Sequence, residues 1–330
     1  MMERREFLKS AAALAALVAL REEAKAAGPG EIPRRTLGRT GQSVSCIGIG
    51  GYHLGAKSVP EQEAIRIIRT ALDSGINFMD NCWDYNDGVS EERMGKALAG
   101  GYRQKAFLMT KIDGRTPTAA QQQIDQSLQR LKTDHIDLLQ IHEVIRMGDP
   151  EQAFQPGYVV DVLKKAQKAG KIRYIGFTGH KSPEIHLHMI EVADKHGFTF
   201  DTVQMPLNVM DAHYDSFTTK VLPVARKHNM GVIGMKPIGN GIILESNTVS
   251  ATDCLKYAMS LPVSVTITGC DTMQYLEQAL AVSRNFHPLP QEAMTAMLAK
   301  TANTAVAGQY EKYKTSTMFD GTTHNPKFLG

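Results

Sequence analysis

The sequence predicts a closed α/β barrel of eight parallel strands, and three observations carry that expectation. Short apolar runs over 76–79, 106–109 and 136–141 show no polar alternation, as expected for strands buried on both faces. Amphipathic helical patterns separate these runs, so strand ends return about every thirty residues, the length of a β–α–β unit. Eight strand–helix pairs follow one another along the chain, which favours closure into a barrel over an open doubly wound sheet.

The elements follow in order. Gly28-Pro29-Gly30 begins a linker over 27–33. Residues 34–37 and 43–46 flank Gly38-Arg39-Thr40-Gly41, which reads as a β-hairpin around a glycine-rich turn. Ile47-Gly48-Ile49-Gly50-Gly51 is the first barrel strand, running into glycines. A helix over 61–74 then places Ala64, Ile67, Ile68, Ala71 and Leu72 on one face, with Gly75 as its C-terminal cap. Further strands are expected at 174–177, 202–204, 232–235 and 263–267. Further helices are expected at 91–98, 118–131, 159–169, 183–196, 217–229, 252–259 and 273–283. Ser90 and Thr118 are the expected N-caps, and Gly170 and Gly231 mark passages from helix to strand. After Leu289-Pro290 a last helix over 291–314 leads to a polar tail. The barrel therefore spans 34–288, and a C-terminal helical extension with its tail spans 289–330.

Residues 1–26 follow different rules. Arg4-Arg5-Glu6-Phe7-Leu8-Lys9 precedes an Ala/Leu stretch over 10–20 and an Ala24-Lys25-Ala26 site, the pattern of a secretory signal. The apolar stretch falls short of the roughly 20 residues that span a bilayer, so no stable membrane span is expected. The paired arginines followed by Phe-Leu-Lys resemble a twin-arginine (Tat) signal. That resemblance implies the Tat export machinery as a partner of the precursor and a periplasmic location, or a cytoplasmic one if the signal does not function. An uncleaved amphipathic helix is the alternative.

An apolar fraction of 42% and a charged fraction of 22% describe a globular chain with a sizeable core. The net charge of +3 is small and dispersed, which argues against nucleic-acid binding by electrostatics. Cys46, Cys82, Cys254 and Cys270 show no C-x-x-C spacing, so no metal is expected and they read as small buried hydrophobes. Cys82 and Cys270 lie near strand ends, where they could line a pocket. His180, His186 and His188 read as surface residues rather than a metal cluster, because positions 186 and 188 face different sides of a helix.

The functional signal is where four residues fall. Asp80, Tyr85, Lys111 and His142 lie at or just after the ends of successive strands. All carboxyl ends of a parallel barrel open on one mouth, so these residues converge although they are distant in sequence. An acid, a phenol, an ammonium and an imidazole in one pocket can transfer protons.

The stretch Asn77-Phe78-Met79-Asp80-Asn81-Cys82-Trp83-Asp84-Tyr85, then Ser90-Glu91, resembles the signature of the aldo-keto reductases. The resemblance continues through Thr110-Lys111, Gln140-Ile141-His142, Ile175-Gly176-Phe177-Thr178, Val203-Gln204-Met205-Pro206-Leu207-Asn208, Met235-Lys236-Pro237-Ile238-Gly239-Asn240-Gly241 and Ile267-Thr268-Gly269. It implies a hydride-transferring oxidoreductase acting on an aldehyde, ketone, sugar-like substrate or alcohol. Tyr85 would be its general acid/base. Lys111 would lower the phenol pKa, Asp80 would hold Lys111, and His142 would orient the substrate carbonyl. It also implies that the cofactor lies across the barrel mouth, with Gly51, Tyr52 and Asp80 beside the nicotinamide. Thr178 and Gln204 would meet its carboxamide, Met235 would lie under the ring, and Lys236, Gly239, Gly241 and Gly269 would follow the phosphates. Gly48-x-Gly50-Gly51 is not a dinucleotide fingerprint, since His53 occupies the third glycine position.

The chain departs from the family pattern twice. Gly179 follows Thr178 where the family commonly has Ser-Asn, removing one amide side chain. At the adenosine end, Gly269-Cys270-Asp271-Thr272-Met273-Gln274-Tyr275 offers an acid and no cation. Gln278-Ala279 also stands where the family often has Glu-Asn. NADP is the family's default cofactor, and Asp271 leaves NAD as the alternative because an acid suits a free ribose hydroxyl. Two other functions compete: a nucleotide-binding regulatory barrel without turnover, and a lyase using Lys111 as a Schiff base. Loops 143–157 and 209–216, with the tail, are where specificity is expected.

Overall fold

A computed structural model describes Gly28 and residues 30–330; the expected signal segment over 1–26 lies outside the described residues. The hairpin strands β1 (Arg34–Thr36) and β2 (Ser43–Ser45) pair antiparallel. Eight further strands have no polar face to offer water, and they close on one another as a parallel barrel. They are β3 (Ile47–Gly50), β4 (Phe78–Asp80), β5 (Phe107–Ile112), β6 (Ile136–Ile141), β7 (Ile172–Thr178), β8 (Thr202–Pro206), β9 (Gly231–Met235) and β10 (Val265–Gly269). The order around the barrel is β10-β3-β4-β5-β6-β7-β8-β9, and β9 returns to β10. The expected (β/α)8 barrel with an N-terminal hairpin is the observed fold.

Register brings the carboxyl ends level. Gly50 pairs with both Asp80 and Gly269, Lys111 with Gln140, Thr178 with Gln204, and Pro206 with Met235. Two apolar layers hold this arrangement. An inner one contains Phe78, Met109, Leu138, Ile233 and Val265, closed from below by Leu37 and Val44 of the hairpin. Phe78 and Phe107 stack within it at 5.2 Å. The outer layer lies between the strands and the helices, and Ile67, Ile68 and Ala71 of Glu61–Asp73 enter it fully buried, as their spacing predicts.

The structure differs from the expectations where local chemistry outweighs periodicity. The helix Pro117–Leu131 is capped by Thr116, which accepts from Ala119 N, because Pro117 lacks an N–H and suits the first helical position. Ser90 lies inside the helix Val89–Leu98, which follows Gly88, and its Oγ donates to Gly51 O at 2.7 Å. The helix expected over 217–229 is two short ones, Phe217–Lys220 and Leu222–Lys227, with Pro223 in the first turn of the second. The last helix stops at Ala305, before Gly308 at φ +64°.

Beyond Gly308 the tail is a strap rather than a solvated end. Lys314 Nζ, buried, lies 2.7 Å from Asp211 Oδ1 and 2.9 Å from Glu311 Oε1. Asp320 pairs with His180 at 3.0 Å and with Lys181 at 2.8 Å. Glu143 accepts from Gly321 N and Thr322 N, both at 2.7 Å. Phe328 packs edge-on against Trp83 at 5.1 Å. Among the described residues no helix is long and apolar enough to cross a membrane.

Removing one member of a buried ion pair leaves an uncompensated charge. Lys314→Met, which strands Asp211 and Glu311, is therefore expected to destabilise the fold by about 3–5 kcal/mol. Urea unfolding monitored by circular dichroism measures this, and a change below about 1 kcal/mol would show that the strap is not held by this contact.

Candidate active site

A cavity of about 610 Å³ opens at the carboxyl ends of the strands, lined by Asp80, Tyr85, Lys111 and His142 among others. Lys111, at the mouth end of β5, is 1% exposed. Its ammonium donates to Asp80 Oδ1 at 2.5 Å, to Asn81 O at 2.7 Å and to Tyr85 Oη at 3.3 Å. Asp80 Oδ2 accepts from Gln204 Nε2 at 2.6 Å, a bond that crosses the mouth. The four residues singled out by sequence thus come together.

One electrostatic expectation is corrected. Burial and the Asp80 carboxylate push the Tyr85 phenol well above its ordinary value, with Cys82, Asp84 and Glu143 adding to the shift. The Lys111 ammonium, 3.3 Å from the phenol and itself paired with a carboxylate 2.5 Å away, does not outweigh these contributions.

His142 is held from behind. Its Nδ1 lies 2.8 Å from Asp113 Oδ1 and 3.8 Å from Asp84 Oδ1. A carboxylate can only accept, so Nδ1 carries the hydrogen and Nε2 is left for the cavity. Burial opposes the charged imidazole, but Asp84 and Asp113 outweigh it and the pKa is raised. Asp84, in turn, is pushed up to about 6 by burial and by Asp113. Cys82 Sγ stands 3.3 Å from His142 Nδ1. The ligand atoms of Cys82, Asp84 and His142 lie within 4.8 Å of one another, a spacing a metal ion could bridge, although Asp113 already occupies Nδ1.

The remaining predicted residues divide. Tyr52, Thr178, Gln204, Met235, Lys236, Gly241 and Gly269 line the cavity, whereas Gly51 and Gly239 stand behind its wall. A β-carbon on Gly51 would lie 2.7 Å from Ser90 Oγ and 2.9 Å from Asn81, so packing requires that glycine. Gln204 Oε1 and Asp271 Oδ1 are buried without partners. Asp271, Tyr275 and Gln278 line the cavity beyond Gly269, and none is a cation. All four cysteines are buried and free, and Cys82 and Cys270 stay off the cavity lining. Of the three histidines expected at the surface, His180 and His186 are buried, and burial drives His186 down to about 4. His180 pairs with Asp320 of the strap and His186 packs against Phe177 and Phe217, contacts that a helical wheel does not reveal.

Asp113 was not among the expected site residues, and Glu143 and the tail were expected only as parts of the segments that set specificity. Asp113 had a local signal, since it follows Lys111 by two and so shares its side of the chain. Glu143 is adjacent to His142. The tail residues Met318, Phe319, Gly321, His324 and Asn325 line the cavity with no signal in their own composition.

Comparison with known proteins places this geometry. Residues 46–254 match the Aldo/keto reductase family. The chain is similar to an L-galactose dehydrogenase of Arabidopsis thaliana, 30% identical over 233 residues that cover 65% of this chain and 68% of that protein. It is also similar to an uncharacterized oxidoreductase, YrpG, of Bacillus subtilis (strain 168), 28% identical over 240 residues that cover 66% and 71% of the two chains. Its fold is that of an aldo-keto reductase from Bacillus halodurans solved in its holo form, with a TM-score of 0.69 and 21% identity over 82% of this chain and 96% of that one.

The pair behind His142 has a measurable signature. In the intact protein His142 should titrate above the model-peptide value of about 6.5, and the stability it contributes should fade as pH rises through that raised pKa. In Asp113→Asn the carboxylate that favours the cation is gone while burial remains, so the midpoint should fall. Histidine NMR titration reads both, and equal midpoints would remove Asp113 from the account.

Proposed function

The chain belongs to the aldo/keto reductase family and is an oxidoreductase, and on that premise we propose that it transfers hydride between a nicotinamide cofactor and a carbonyl or alcohol substrate. The observation that carries this reading is the contact of Tyr85 Oη with Lys111 Nζ at 3.3 Å inside the cavity, with Lys111 locked to Asp80. A nicotinamide cofactor held by the residues lining the mouth would supply or accept the hydride. A phenol whose pKa is raised stays protonated at neutral pH, so the donor is loaded for reduction. As the carbonyl oxygen gains charge, Tyr85 gives it the proton, and the phenolate that results lies beside the Lys111 ammonium. His142 directs Nε2 at the same oxygen and orients it. Tyr52, half exposed, packs edge-on to Tyr85 at 5.3 Å and narrows the approach.

The residues present fit a nicotinamide. Gln204, with Nε2 taken by Asp80, keeps a buried unpartnered Oε1 that can accept from a carboxamide N–H. Thr178 stands beside it in register, and Met235 offers an apolar surface to a ring. No β-carbon built on Gly241 would meet an atom within 4 Å, which leaves room for phosphates there, whereas one on Gly269 would collide with His53 Nδ1. NADP is the first reading of the cofactor. NAD is the second, favoured by the unpartnered Asp271 Oδ1 at the far end of the cavity. A Schiff base on Lys111 needs a free amine, and this ammonium already donates to three partners.

Tyr85→Phe removes one hydroxyl and leaves the cavity wall in place. Reduction of simple aldehydes, followed as loss of reduced-nicotinamide absorbance, is expected to fall at least about 10²-fold in kcat/KM while nucleotide still binds. Near-normal turnover would refute the role of Tyr85.

The reading extends to location: the Tat-like segment sends the folded chain out of the cytoplasm with its cofactor bound. Residues 1–30 fused to a reporter exported only when folded should carry it to the periplasm, and Arg4→Lys/Arg5→Lys should stop it. A reporter that remains inside with the arginines intact, or nucleotide that dialyses away rapidly from the purified protein, would contradict this.

A further inference from the structure

One cation at the mouth has no anion. Lys236 follows β9 at φ +54°, a backbone region where glycine is the low-energy choice, so its side chain is retained against strain. The side chain lines the cavity. Its Nζ lies 4.5 Å from the ring centroid of Phe319 and 5.6 Å from that of Tyr313, both on the tail. Among the described residues, no carboxylate or hydrogen-bond acceptor contacts that nitrogen.

The nearby acids are already engaged. Glu143 accepts from Gly321 N, Thr322 N and Thr322 Oγ1. Asp320 is paired with His180 and Lys181, and Asp80 with Lys111 and Gln204. Aromatic faces partly offset the cost of drawing an ammonium out of water, but they cannot replace a counter-ion. The strap thus holds a cation over two rings and directs it into the space beside the reacting groups.

We propose that Lys236 anchors an anionic group on the substrate, so that this enzyme acts on carbonyl compounds or alcohols that carry a carboxylate or phosphate. This inference takes its reacting centre from the function proposed above and adds the substrate class. Burial drives the ammonium down to about 8, and the strongest opposing field is that of Glu143, the residue after His142. At neutral pH most of the population remains charged, and an incoming anion would favour the charged form further. The resemblance to the family assigns this lysine to the cofactor phosphates instead. That source shares the chemistry; the ammonium itself lies over the tail rings, with Glu143, Lys111, Asp80 and Asp320 as the charges acting on it.

The test compares two aldehydes of equal length, 4-oxobutanoate and its uncharged carboxamide, with the full-length protein and saturating nucleotide. The intact protein is expected to prefer the carboxylate by about ten- to a hundredfold in kcat/KM, mostly through KM, the range of a charge-assisted hydrogen bond. Lys236→Met should erase that preference, and Lys236→Arg, which keeps the charge, should retain part of it. Calorimetric binding of succinate against succinamate repeats the comparison without turnover. An indifferent wild-type protein would overturn the proposal, as would a preference that survives in Lys236→Met. A loss of nucleotide affinity with the preference intact would also overturn it, by assigning the ammonium to the cofactor phosphates. Selective succinate binding without reduction of either aldehyde would support the anchor and refute the redox reading instead.

Discussion

A lysine ammonium removed from water must find anions and acceptors or give up its proton, and the mouth of this barrel is organised around meeting that requirement at Lys111. Asp80 meets most of it from the neighbouring strand, and the Asn81 carbonyl completes it. Gln204 then holds the second oxygen of Asp80 from β8, on the opposite side of the ring of strands. One buried charge thereby ties β4, β5 and β8 together and sets the width of the cavity floor. Tyr85 inherits its environment from the same pair. An ammonium lies beside it, but burial and the surrounding carboxylates raise its pKa on balance, and so it remains a protonated donor.

The second constraint is that the carboxylates around this centre must also be satisfied, and the chain does so with its own end. Glu143 adopts a left-handed conformation at φ +48° and receives the backbone of Gly321 and Thr322. His180 and Lys181 share Asp320. Arg115, fully buried, donates to the carbonyls of Asp113, His142 and Glu143 and stiffens the loop that carries the imidazole. Catalytic loops on a barrel are ordinarily its most mobile parts. Here the strap converts the rim into a packed surface and supplies Phe319, His324 and Asn325 to the cavity lining.

The agreement between sequence and structure follows the range of the forces involved. Strand positions were legible because burial on both faces demands apolar runs, and β6 spans Ile136–Ile141 as expected. The helix Glu61–Asp73 was legible because its apolar spacing meets one core face. Proline and glycine explain the misjudged boundaries: Pro117 shifts a cap to Thr116, Pro223 divides a helix, and Gly308 separates the last helix from the strap. His186 was misread because its helix packs against Phe177 and Phe217, rings contributed by other elements.

The sequence by itself determined the eight-strand barrel and the convergence of Asp80, Tyr85, Lys111 and His142 on one mouth. Strand periodicity is local, and parallel closure turns position along the chain into position on a rim. The tertiary structure alone decided which charges meet. His180 and Asp320 are 140 residues apart, and Glu143 reaches Thr322 across 179. The raised pKa of Tyr85, the carboxylates behind His142 and the unpartnered ammonium of Lys236 are sums over such distant neighbours and over the water they exclude. Desolvation and Coulomb fields depend on proximity in space, and no local pattern of residues encodes it.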